Sequence, residues 1–145
     1  MIDTVISILL VEDDDVAAES VMRSLTRGGK NFPVVWAQDG VAALAVLRGQ
    51  GNRPPLQRPR IILLDLNMPR MNGFEFLTVL RNDESLKEEV VFVLTTSDSD
   101  MDRMRAYQAG IAGYIVKSLI GSQYFRLAGM LHSYCDVVNL PGAQA

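Results

Sequence analysis

Four apolar runs in this chain end where residues able to do chemistry begin. "VISILLV" (5–11) is followed by Glu12, Asp13, Asp14 and Asp15, and "IILL" (61–64) by Asp65. "VVFVL" (90–94) is followed by Thr95 and Thr96, and "GYIV" (113–116) by Lys117. Carboxylates gathered in one place raise one another's pKa unless a cation intervenes. A hard divalent ion with oxygen ligands, Mg²⁺ by preference, relieves that repulsion. Lys117 offers a compact positive charge, and a threonine hydroxyl can donate to an oxyanion. No histidine backs a nucleophile, because His132, the only one, lies far along the chain. A carboxylate beside a metal and a lysine suits in-line attack on a phosphoryl group, with Asp65 forming an aspartyl-phosphate.

For these residues to meet, the segments that precede them must lie side by side. Strand-like and helix-like stretches alternate throughout. Residues 5–11 are too uniformly apolar for a half-exposed strand and predict one buried on both faces. Val16, Ala17, Val21 and Leu25 recur at helical spacing, with Gly28 and Gly29 as the stop. Residues 32–38 predict a second strand, near an edge because Pro33 cannot donate to a ladder. Asp39 is placed to cap a helix that ends at Gly49, and residues 49–59 read as a surface loop. Residues 60–65 predict the third strand and 73–82 a helix with Phe74, Leu77 and Leu80 inward. Residues 90–96 give the fourth strand, 100–110 a charged helix stopped by Gly110, and 113–117 a short fifth strand. A last helix carries Ile120, Tyr124, Leu127 and Leu131. Five β-then-α units argue for one parallel sheet covered on both faces, with any ligand beyond the carboxyl ends of the strands.

Composition excludes several classes. The chain has 145 residues, enough for one domain with a real core, and 48% of them are apolar. Fourteen basic against 17 acidic residues, a net charge of −3, give no support for a nucleic-acid surface. No apolar run approaches the ~20 residues needed to span a bilayer, and a signal peptide's basic start is missing, so a cytoplasmic home is expected. The single Cys135 excludes an internal disulfide.

"LLVEDD", "LLDLNMPRMNGFEFL", "VLTTSD" and "GYIVK", in that order, resemble the receiver domain of two-component response regulators. The resemblance covers about residues 5 to 134, within a single domain 1–145 whose tail is 135–145. It implies a flavodoxin-like five-stranded sheet of order 2-1-3-4-5 with five helices. It also implies that Asp65 is the phosphoacceptor, that Glu12 and Asp13 with Asp65 hold Mg²⁺, and that the Asn67 backbone carbonyl completes the metal site. Thr95 resembles the switch hydroxyl, Tyr114 the aromatic that follows it inward, and Lys117 the phosphate-pairing lysine. Ser118 stands where most receivers have a proline in a cis peptide with that lysine, leaving cis or trans open. Ser118 and the tail "HSYCDVVNLP" resemble single-domain receivers associated with phytochrome kinases. The implied partner is therefore a histidine kinase of phytochrome type. A homodimer through the fourth helix, fifth strand and fifth helix is expected, with the apolar tail adding contact area. No enzymatic turnover beyond self-phosphorylation and autodephosphorylation is expected.

Each residue also has a plainer reading. The acidic run can cap a helix, Asp65 can open a turn, Thr95 suits any strand end and Lys117 can be a solvated edge charge. Asp14 and Asp15 are read as caps, Met101 and Met104 as helix-face residues, His132 as structural and Cys135 as an apolar filler. Two rival functions remain. A haloacid-dehalogenase-like phosphatase would need an aspartate two residues after the nucleophile, where this chain has Asn67. A pseudo-receiver scaffold would keep the fold without the chemistry.

Overall fold

The computed structural model describes residues 5–26, 32–52, 54–120 and 125–142. Its elements run β1 (Ser7–Val11), α1 (Asp15–Leu25), β2 (Val34–Ala37), α2 (Gly40–Arg48), β3 (Arg60–Leu64), α3 (Gly73–Asn82), β4 (Val90–Thr95), α4 (Asp100–Gln108), β5 (Gly113–Val116), α5 (Lys117–Ile120) and α6 (Phe125–Val137). The strands form one parallel sheet in the order β2-β1-β3-β4-β5.

Burial on both faces explains why the central strands are apolar at consecutive positions instead of alternating. Leu9, Val11, Ile62, Leu64, Val91 and Val93 face one layer, where Leu44 and Leu47 of α2 and Phe76, Leu77 and Leu80 of α3 pack on them, with Ala106 of α4. Ile8, Leu10, Ile61, Leu63, Phe92 and Leu94 face the other, under Ala18, Val21 and Leu25 of α1 and Leu127 and Leu131 of α6. Each fully buried side chain of this size contributes about 1.5–3 kcal/mol. β2, with Pro33 before it, lies at an edge as its proline predicts.

Local signals set the helix ends. Asp14 caps α1, accepting from the N–H groups of Val16 at 2.9 Å and Ala17 at 3.3 Å. Asp39 caps α2, whose far end is the left-handed Gly49. Asn72 and Glu75 form a reciprocal capping box at the start of α3.

Three expectations need correction. Among the described residues the sheet carries six helical segments, not five, because a one-turn α5 and α6 are found in the stretch read as one last helix from Ile120. Lys117 opens α5 and is not the final residue of β5. Phe74 is only half-buried, and Phe76 is the aromatic that α3 commits to the core. Gly28, Gly29 and Tyr124 lie outside the described residues. In the tail, Leu140 is buried against the α1–α6 layer, while Val137 and Val138 are exposed.

Candidate functional site

The carboxyl end of β1 delivers a buried Glu12 and an exposed Asp13. Glu12 is 2% exposed. Its N–H donates to the Ala37 carbonyl at 3.0 Å, and its own carbonyl accepts from the Trp36 indole at 2.7 Å. One strand across, Asp65 follows directly on β3, its N–H bonded to the Val11 carbonyl at 3.0 Å. The sheet therefore places Glu12 and Asp65 next to each other at its centre. Carboxylate oxygens of Glu12, Asp13 and Asp65 lie within 4.8 Å of one another.

Lys117 completes the cluster. Its ammonium pairs with Glu12 and stands 3.7 Å from Asp65 Oδ2. The Lys117–Ser118 peptide is trans, so the lysine reaches the acidic residues without the cis bond that a proline would favour. The charge balance leaves an excess of negative charge. Burial, reinforced by a hydrogen bond to Asp65 and only partly offset by Lys117, pushes the Glu12 carboxyl up to about 7. An all-oxygen donor set of three carboxylates with one basic neighbour fits a hard divalent cation, which would restore Glu12 to its ionised form.

The loop after Asp65 is pinned on both sides. Leu66 and Met68 are buried while Asn67 between them is exposed, and the Asn67 N–H faces Asp65 Oδ1 at 3.4 Å. Arg70 adopts a left-handed backbone, φ 63°, unusual outside glycine. Its guanidinium bonds the buried Asp39 carboxylate, Nε to Oδ2 at 2.8 Å. Burial by itself raises the Asp39 pKa, but the Ala42 N–H and Arg70 outweigh it and hold the carboxyl below its usual value. Gly73 marks the closest approach: a Cβ there would stand 2.7 Å from the Asp65 carbonyl oxygen and from Leu66 Cα.

Thr95 ends β4 fully buried, and its hydroxyl oxygen accepts from the Ser97 N–H at 3.3 Å. Tyr114 on β5 donates its hydroxyl to the Ser97 carbonyl at 3.0 Å. Thr95 and Tyr114 thus meet at one turn, which α4 joins through Ser97 Oγ and Asp102 Oδ2, 2.6 Å apart. Thr96, which sequence places beside Thr95, is exposed. His132 packs edge-on against Phe32, and Cys135 packs against the core, both away from this basin.

Sequence reasoning missed Trp36 and the Arg70–Asp39 pair. Asp39 carries a cap signature that conceals its second partner, and nothing in a tryptophan on an edge strand shows where its N–H points.

A doubly wound parallel sheet with an acidic cluster and a lysine at its carboxyl end defines a receiver. The chain belongs to the response regulator receiver domain family, whose model matches residues 8–125. It is 34% identical over 137 residues to response regulator Rcp1 of Synechocystis sp., covering 94% of this chain and 93% of that one. The crystal structure of the phosphorylated cyanobacterial phytochrome response regulator RcpA is similar with a TM-score of 0.84 at 34% identity, covering 95% of this chain and 99% of that chain. The Mn²⁺-bound form of Rcp1 gives a TM-score of 0.80 at 32% identity, again over 95% and 99%.

Proposed function

We propose that this protein is a stand-alone response regulator that accepts a phosphoryl group on Asp65 from a histidine kinase of phytochrome type. The observation that carries this reading is the basin itself, three carboxylates within 4.8 Å of one another with Lys117 3.7 Å from Asp65 Oδ2. Asp65 is the natural nucleophile, because it follows directly on the central strand β3, beside the Glu12–Asp13 pair and within reach of the lysine. One of its oxygens forms the O–P bond as the P–N bond to the kinase's phosphohistidine breaks, the ring nitrogen keeping the electron pair. Lys117 exchanges its partner Glu12 for a phosphoryl oxygen and neutralises charge that develops there. Glu12, Asp13, Asp65 and the Asn67 carbonyl would hold Mg²⁺, which supplies electrophilic stabilisation of the phosphoryl oxygens when bound. The resemblance to a Mn²⁺-bound and to a phosphorylated regulator supports both parts of the reading.

Output follows from the turn at Ser97. A phosphoryl group on Asp65 draws the Thr95 hydroxyl from the Ser97 N–H, which releases Tyr114 and shifts the start of α4. The exposed Met101, Met104 and Tyr107 of α4 give this face apolar area for a homodimer through α4, β5 and the helical segment that follows. The protein acts in the cytoplasm, and no helix among the described residues is long and apolar enough to cross a membrane. Asn67, where a phosphatase would need a general acid, disfavours turnover of external phosphoesters.

Incubation with acetyl phosphate and Mg²⁺ followed by intact mass tests the chemistry. One phosphoryl adduct, absent in Asp65→Asn, is expected. No adduct from acetyl phosphate or from any phytochrome kinase would favour a scaffold. Sedimentation with and without phosphate tests assembly, and a monomer at micromolar concentration in both states would remove the dimer.

A further inference from the structure

The indole of Trp36 reaches the acidic basin from outside it. Trp36 sits on β2 opposite Leu10, half-buried against the α1–α6 layer. β1 ends at Val11 and β2 at Ala37, so Glu12 is the first residue beyond the regular ladder. There Trp36 Nε1–H donates to the Glu12 carbonyl at 2.7 Å while the Glu12 N–H donates to Ala37, so β2 holds the peptides on both sides of Glu12. Asp13, the next residue, is exposed, so packing does little to orient its side chain. Its direction depends on the backbone to either side. On the far side, Asp14 is fixed as the cap of α1, and its N–H lies 3.4 Å from Glu12 Oε2. On the near side, the fixed point is the carbonyl that Trp36 holds.

We propose that Trp36 is a positioning residue for the divalent-cation site, fixing the Glu12–Asp13 peptide so that both carboxylates face Asp65. The proposal rests on the reading of Glu12, Asp13 and Asp65 as cation ligands. Groups that hold metal ligands without touching the metal commonly account for tenfold or more in affinity, because a ligand free to rotate must be ordered as the ion binds. The indole N–H is a single donor with no acceptor role, so its removal has a defined consequence.

Two replacements separate the donor from the ring. Trp36→Phe keeps an aromatic body, and benzothienylalanine incorporated at position 36 keeps the fused shape with sulfur in place of N–H. Mg²⁺ and Mn²⁺ affinities are measured by calorimetry alongside the urea midpoint. In both variants Kd is expected to rise about tenfold. A purely structural role would lower the urea midpoint and leave Kd unchanged. An unchanged Kd in a benzothienylalanine protein of native stability would overturn the proposal.

A second measurement needs no variant. Trp36 is the only tryptophan in the chain, so its indole N–H gives one resonance in a nitrogen-15 spectrum. That resonance is expected to move during a Mg²⁺ titration with the calorimetric midpoint. A resonance that stays fixed while calorimetry shows saturation would overturn the proposal even if neither variant folds. A native protein that binds neither Mg²⁺ nor Mn²⁺ would overturn the basin reading itself and Trp36's role with it, whereas native binding with unchanged variants removes only the latter.

Discussion

Strand β3 is bracketed by two buried charges with opposite circumstances. At its amino end, the Arg60 guanidinium meets both Glu89 oxygens at 2.8 Å and the Leu56 carbonyl at 2.6 Å, and Arg58 adds a contact to Glu89 at 3.1 Å. At its carboxyl end, Asp65 and Glu12 face a single lysine, and the Glu12 carboxyl is pushed up to about 7. Both ends bury ions at a cost in desolvation. The first answers that cost with a closed set of hydrogen bonds. The second leaves it partly unanswered, which makes it a place where a cation or a phosphoryl group changes the energy most. A carboxylate in the loop before β4 sharpens the contrast. Asp83 is held down at about 2 by Ser85 and Arg48, so two carboxylates at opposite ends of the sheet move in opposite directions.

Substitution of each bracket tests this division. Asp65→Asn is expected to abolish the phosphoryl adduct completely while leaving the urea midpoint unchanged or raised, because it removes a like charge from beside Glu12. A clear loss of stability would show that the carboxyl end is structural too. Arg60→Ala is expected to cost about 3–5 kcal/mol, since it strands the buried Glu89. Chemical denaturation measures this, and a loss under 1 kcal/mol, about the value of an exposed pair, would dissolve the contrast.

Mg²⁺ at a hundredfold excess over its Kd is expected to add about 2.7 kcal/mol of stability. Asp13→Asn should lose most of that gain in a thermal melt, whereas Arg48→Ala, beside Asp83, should keep it. The smallest effect belongs to Asp83. Its folded pKa lies below its ordinary 3.8, so the stability its partners confer is present above about 3.8 and fades as pH falls toward 2. The difference in midpoint between native protein and Asp83→Asn should therefore shrink across that range, and a difference that grows would reverse the assignment.

How far the sequence revealed this molecule depends on the range of the interaction. The sheet order was legible through the resemblance to receivers and the caps at Asp14 and Asp39 from the helical runs they precede, while the gathering of Glu12, Asp13, Asp65 and Lys117 was legible because strand ends in a parallel α/β sheet share one side. Arg60 was not. It reads as the polar start of a strand, and its partner Glu89 is 29 residues away, with nothing local to join them. The short helix that Lys117 opens was hidden because Ile120, Leu127 and Leu131 keep a helical spacing that reads as one last helix. The apolar tail was legible as apolar but not as divided, with Leu140 inward and Val137 outward. Such choices depend on the surface that each residue finds across the fold.

Gly73 shows how little tolerance the carboxyl end has. The first residue of α3 rests on the Asp65 peptide so closely that one added carbon would overlap it at 2.7 Å. Helix and reactive strand therefore have no cushion between them. A library that randomises residues 66–73 and selects for phosphorylation should return many solutions at the exposed Asn67, few at Arg70, whose left-handed backbone and bond to buried Asp39 constrain it, and one at position 73. The clearance around this site is thus finer than the smallest side chain, and the freedom to diversify it lies in the loop's outward residues.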